Sequence, residues 1–182
     1  MGIVHPGSEL TPTKAQLLQQ WAPRQSWWPG GDTVPDFQAN FRFDDPEGEV
    51  GIETFLIPLG DQVLHVPLTY RSAPLDGGEL LGEMDHSALG RRWVYDGVSD
   101  PVYVAEATRV IREADTEVTM LMPDGTPIPR RRVTAAVRGS GHGDGTLHVE
   151  RVLQADLPDT ATGSLTATWR EHPAPLVLAW LG

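Results

Sequence analysis

The stretch Phe37-Gln38-Ala39-Asn40-Phe41-Arg42-Phe43, followed by Asp44-Asp45-Pro46-Glu47-Gly48, decides the class of this chain. Phe37, Ala39, Phe41 and Phe43 alternate with polar residues, the period of a half-buried strand. Asp44 to Gly48 is turn chemistry. Glu49 to Ile57 alternates again, with Val50, Ile52, Thr54 and Leu56 set against Glu49, Gly51, Glu53 and Phe55. Gly60-Asp61 closes a second turn, and Gln62 to Tyr70 reads as a third strand carrying Val63, His65 and Pro67. Three strands joined by short turns form an antiparallel meander.

Upstream, Thr11 or Thr13 caps a helix over Lys14–Trp21, with Pro12 in the first turn, Leu17, Leu18 and Trp21 as its apolar stripe, and Pro23 as its stop. Trp27 and Trp28 follow in a Pro-Gly turn, and only one of two adjacent rings can point fully inward. Downstream, Arg71 to Gly90 is Gly-rich and irregular, and Arg91 to Tyr95 reads as a strand. Ser99 or Asp100 then caps a second helix that starts at Pro101, with Val104, Ala107, Val110 and Ile111 on one side. Strands return at 117–122, 132–138, 147–154, 163–170 and 176–181, with Arg138 to Thr146 as a Gly-rich hairpin loop. The class is α+β, an antiparallel and curved sheet with two main helices, in one domain over 1–182.

The 182 residues carry a net charge of −11 and contain 19 Gly, 16 Pro and no Cys. The missing cysteines exclude disulfides, thiol nucleophiles and thiolate metal sites. An acidic chain lacks the basic stripe that nucleic acid requires. Arg130-Arg131-Arg132 would alternate between the two faces of a strand instead of forming a patch. The N-terminal residues lack the basic and apolar regions of a secretory signal, and no apolar run is long enough for a transmembrane helix. Cytoplasmic location, no nucleic acid and no membrane are the expectations that follow.

His142-Gly143-Asp144-Gly145-Thr146-Leu147-His148 is the string closest to a catalytic motif. Phosphotransferase loops place a base Asp, a nearby His and a downstream metal-binding Asn or Gln in this region. Asp144 would be the base, but the second His is displaced by one residue and Val149 stands where a ligand is needed. His142, Asp144 and His148 as a zinc site is the other reading, set against a solvated turn with a strand histidine. His86-Ser87 offers no dyad geometry, and the carboxylate pairs Asp44/Asp45 and Asp96/Asp100 fit turns and caps. No catalytic residue, metal site or cofactor is assigned, leaving an unrecognised enzyme built on His86, Asp96 or the 142–148 loop as the weakest reading. Six tryptophans offer more. Trp27, Trp28 and Trp93, with Arg71, His86 and Arg91, are the candidate ligand or partner surface, because aromatic rings beside guanidinium groups stack sugars or bases. The competing reading places the rings in the core, with their indole N–H groups bonded to backbone.

Several strings together resemble one family. Leu17–Trp21 followed by Arg24-Gln25-Ser26-Trp27-Trp28-Pro29-Gly30, then Asp44 to Glu53, Pro67-Leu68-Thr69-Tyr70-Arg71, Leu89 to Gly97 and Asp100-Pro101 occur in order over residues 8–112. They are similar to the N-terminal cap of actinobacterial maltokinases and, more closely, of glucosamine kinases. From about 115 the likeness is weaker and rests on Thr166-Ala167-Thr168-Trp169 and an apolar last strand, so 115–182 reads as further strands of the same domain. The resemblance implies a cystatin-like arrangement, a curved antiparallel sheet embracing a helix. It also implies a non-catalytic module that binds or regulates a kinase or another carbohydrate enzyme. A sugar or sugar-phosphate binding protein is the alternative.

Overall fold

The computed structural model describes residues 2–3, 7–129 and 134–182. The cluster Arg130–Arg132 and the start of the strand expected at 132–138 lie outside the described residues. The strands are β1 (Gly2–Ile3), β2 (Leu10–Thr11), β3 (Ala39–Asp44), β4 (Gly51–Leu59), β5 (Gln62–Arg71), β6 (Leu80–His86) and β7 (Gly90–Asp96), then β8 (Met120–Leu121), β9 (Ala136–Gly139), β10 (Leu147–Gln154), β11 (Gly163–Trp169) and β12 (His172–Leu181). The helices are α1 (Lys14–Trp21) and α2 (Pro101–Glu113).

The meander forms as read: β3, β4 and β5 pair antiparallel in sequence. β5 is the branch point of the sheet. One of its edges takes β4 along its whole length, while the other is shared between β7, opposite Leu68–Arg71, and β10, opposite Leu64. One wing continues from β7 to β6 and β2, and the other from β10 to β12, β11 and β9. Antiparallel pairing dominates, and the architecture is α+β.

The second wing curls. α2 packs against β9, β10, β11 and β12 of this wing and also against β3, which lies beyond β4 on the opposite edge of β5. The two ends of the run β3-β4-β5-β10-β12-β11-β9 therefore reach one helix. A flat sheet cannot bring both ends to one helix. The ends themselves meet where Asn40 of β3 bridges Thr134 and accepts the Ala135 N–H at 3.0 Å. Tyr103, Ala107, Val110 and Ile111 of α2 fill this enclosure with Phe41, Phe43, Ile52, Leu56, Leu165 and Leu181, all buried. Gly139 is required there. A Cβ at this position would stand 1.9 Å from the Val110 carbonyl oxygen, so only glycine lets β9 pass the end of α2.

The opposite face of β4–β5 carries a second core, in which Leu17, Leu18 and Trp21 of α1 meet Phe55, Ile57, Leu64, Val66, Leu68, Met84 and Val94. Both faces of the meander are therefore covered, and Ile52 to Ile57 is buried without a break. Alternation along these strands sorts residues between two cores and not between core and water.

Local chemistry accounts for the helices. Thr13 is the α1 N-cap in a reciprocal box with Gln16, so Pro12 lies before the helix and not in its first turn. After Trp21 the chain tightens into a 3-10 turn, Ala22–Arg24, that contains Pro23. Asp100 caps α2, with Pro101 at its first position.

Four expectations are corrected. Part of the irregular 71–90 stretch is strand β6, which shows no alternation because Met84 alone is buried along it. The strand expected at 117–122 shrinks to Met120–Leu121, which pairs in parallel with β1, while Val118 donates to the Arg42 carbonyl of β3 at 3.0 Å. The strand expected at 132–138 is described as Ala136–Gly139. The 138–146 loop is not a hairpin. β9 and β10 are kept apart by the β11–β12 hairpin, which pairs with both.

Candidate functional site

α1 is only eight residues long and covers part of its face of the meander. A cleft of about 520 Å³ opens beside it, between α1, the segment 34–37 and the segment 117–129, with β3 and β4 as its floor. Leu18, Val34, Phe37, Phe55, Ile57, Met120 and Ile128 give it apolar walls. Phe37 is exposed at the mouth and meets Phe55 edge-on, with ring centroids 5.0 Å apart.

The floor is polar and built around one buried carboxylate. Directly opposite residues of antiparallel strands share a face, so Arg42 stands beside Glu53 and Asn40 beside Phe55. Glu53 Oε1 accepts from Asn40 Nδ2 at 3.1 Å. Its Oε2 accepts from Arg42 Nη2 at 3.2 Å, from the Tyr70 hydroxyl at 3.2 Å and from Lys14 Nζ of α1. Tyr70 reaches this oxygen because its partner across the ladder is Gly51, over whose backbone the ring lies. Burial alone would raise the Glu53 carboxyl, but Arg42 and Lys14 more than offset it and bring its pKa down to about 2. Tyr70 is pushed well above its usual value by burial and by the Glu53 charge, so it remains a donor. The Glu53 side chain is 5% exposed, whereas Lys14 and Arg42 are 26% and 29% exposed. All three line the cleft, the two cations with more exposed surface than the carboxylate.

The six candidates from sequence fall in different places. Arg71, Trp93 and Glu83 are successive partners across β5, β7 and β6, and Arg91 pairs with Asp85 two residues along. Arg71, Trp93 and Arg91 therefore share one face of the first wing. Arg71 is held by Asp100, with both donor distances 2.7 Å, and Arg91 is an exposed partner of Glu83 and Asp85. His86 is the last residue of β6, and its Nδ1 accepts from the Ala88 and Leu89 N–H groups of the following turn. Trp27 and Trp28 lie in the α1-side core, on the other face. Trp28 is buried and donates to the Gly31 carbonyl at 2.9 Å, while Trp27 is half-buried with its ring 4.8 Å from the Arg151 guanidinium. Trp21 of the core donates to the Glu79 carboxylate and the partly buried Trp180 to that of Glu150, so the indoles here do not all bond to backbone.

The remaining strings resolve into structure. Asp45 accepts from the Glu47, Glu49 and Val50 N–H groups in its turn. Asp96 pairs with Arg151, and its carboxyl is raised by burial. Asp144 is almost fully exposed, His142 Nδ1 lies 2.7 Å from the Thr162 carbonyl, and His148 stacks on Trp180 at 3.9 Å. Among the described residues, no three His, Asp or Glu side chains gather as a metal site. No described helix is long and apolar enough to cross a membrane. The Lys14–Asn40–Arg42–Glu53 floor was missed in the sequence. Its signal was there: Glu53 is a charge within the otherwise uncharged run from Val50 to Leu59, and such a group has to find a partner.

Residues 21–100 match the family model of the maltokinase N-terminal cap domain. That span lies within the 8–112 stretch of resembling strings and runs from the end of α1 to the cap of α2. No curated protein and no solved structure gives a significant match to the chain.

Proposed function

We propose that this chain, whose residues 21–100 resemble a maltokinase cap, is a non-catalytic module that docks on and regulates an enzyme of carbohydrate metabolism in an actinobacterial cytoplasm. The family match carries this reading. The glucosamine-kinase type of cap is the closer template, on the strings Asp44 to Glu53 and Leu89 to Gly97. The curl of the second wing around α2 supports a cystatin-like arrangement, with residues 115–182 completing the same domain. Residues 71–100 place Arg71, Trp93 and Arg91 on one sheet face, and this is the partner surface the reading favours. Native mass spectrometry of the purified chain mixed with the sugar kinases and glycosidases of its own genome tests it. The expected result is a stoichiometric complex with one of them and a changed rate for that enzyme. Absence of a complex with all of them overturns the reading.

A second reading, small-molecule binding, is favoured by one observation. The cleft beside α1 has the volume, the apolar walls and the few convergent polar groups of a ligand site. Thermal shift against sugars and sugar phosphates tests it, and a flat response across them and other small anions rejects it.

A further inference from the structure

We infer that the cleft beside α1 selects a small amphipathic monoanion, such as a carboxylate on an apolar body. This inference rests on the small-molecule reading. The floor sets two cations, Lys14 and Arg42, against the single carboxylate of Glu53. Glu53 already takes four donors, three of them on Oε2, so it offers little to a ligand. The cations keep donors to spare, since a lysine has three N–H groups and an arginine five. Both are about a quarter exposed and line the cleft. Lys14 is also the first residue of α1, and that helix has no acid in its first turn, so the positive end of the helix adds to the same field. A ligand anion there would gain charge-assisted hydrogen bonds next to apolar walls that exclude water.

The acids facing the site limit the charge. Asp36 stands at the mouth, and Glu117 lines the wall with its Oε2 accepting the Val137 N–H at 2.7 Å. Asp44 acts on Arg42 from the same strand. Among the described residues the floor carries one surplus positive charge, which one negative charge on a ligand matches, and a second meets these carboxylates. A phosphate dianion is therefore disfavoured. The walls fix the rest of the ligand, because Phe37, Phe55, Ile57, Met120 and Ile128 offer contact area and no charge.

The test titrates the whole chain with octanoate, octanol, glucose 6-phosphate and maltose, following amide shifts by NMR and the thermal midpoint. Octanoate is expected to shift residues around the cleft and to bind at least about tenfold tighter than octanol. Lys14→Met, which keeps the stem of the side chain, and Phe37→Ala at the exposed mouth should each weaken octanoate several-fold. Glu53→Gln, provided its amide spectrum stays folded, should tighten it, because the floor then has two uncompensated cations. A structural role for the cluster predicts the opposite sign. Equal binding of octanol and octanoate overturns the inference, as does weaker octanoate binding by a folded Glu53→Gln chain. Binding of glucose 6-phosphate or maltose without octanoate overturns it while leaving the small-molecule reading standing. No response to any probe removes both.

Discussion

The two faces of the β4–β5 ribbon differ in how completely a helix covers them. On one face α2, thirteen residues long, is wrapped by the curled wing and, from the other edge of β5, by β3. On the other, α1 covers the β6–β7 side with Leu17, Leu18 and Trp21 and leaves the β3 side open as the cleft. The wrapped face holds its apolar core closed, with helix caps and arginine pairs at its rim and the imidazole of His65 buried inside it. The open face places a buried carboxylate between two partly exposed cations. Coverage, and not composition, separates a core from a site in this molecule.

The largest effect should come from breaking the wrapped face at its tightest point. Gly139→Ala forces a methyl group onto the Val110 carbonyl, which is backbone and cannot swing aside. A cost of about 3 kcal/mol or more is expected in denaturant unfolding. A cost under half that figure would mean that β9 does not clamp α2.

Acid should act next, and on both faces. His65 is fully buried on the α2 side, with its Nδ1 3.0 Å from the Glu150 carbonyl. Burial and the Arg151 charge lower its pKa from 6.5 to about 3. The unfolded chain then takes up a proton that the folded chain refuses, so stability is fully present above pH 6.5 and falls as the pH drops toward 3. Glu53 contributes in a lower window. Its depressed pKa gives stability that is present above about 4.5 and lost toward 2. Asp96, raised by burial, works against both trends. Urea unfolding at a series of pH values should therefore show the decline starting near neutrality, and His65→Gln should remove its upper part.

Glu53→Gln tests the open face. Leaving one buried charge unpaired costs about 3–5 kcal/mol in a dry site. Here Lys14 and Arg42 can turn toward water, so the cost should be nearer 2 kcal/mol by thermal unfolding. Thr13→Ala removes the α1 cap and should cost about 1 kcal/mol, the smallest effect of the series. If it costs as much as Gly139→Ala, α1 is as integral to the fold as α2, and the contrast between the faces fails.

The legible parts of the sequence were those governed by neighbours along the chain. The meander, both helices, the Asp100–Pro101 start of α2 and the strands β11 and β12 were all readable, since alternation, caps and turns act over a few residues. β6 was not readable, because it has one buried side chain and is held by backbone bonds to β7. The candidate surface was legible only as residue types. Arg71, Trp93 and Arg91 do share a face, but Trp27 and Trp28 stand on the other side of the sheet, and no local pattern distinguishes the two.

By itself, the sequence determined the class, both helices, the meander and the other long alternating strands, and the cap resemblance, because these rest on short-range periodicity and on ordered strings. Only the tertiary structure decided that β5 branches, that β9 and β10 are kept apart by the hairpin between them, and that one wing closes around α2. Such pairings join residues far apart in sequence, and equal turn chemistry at 138–146 allows either a hairpin or a crossover. The cleft belongs to the same category. Lys14, Asn40, Arg42 and Glu53 come from a helix and two strands, and only their packing makes one buried carboxylate the floor of a site.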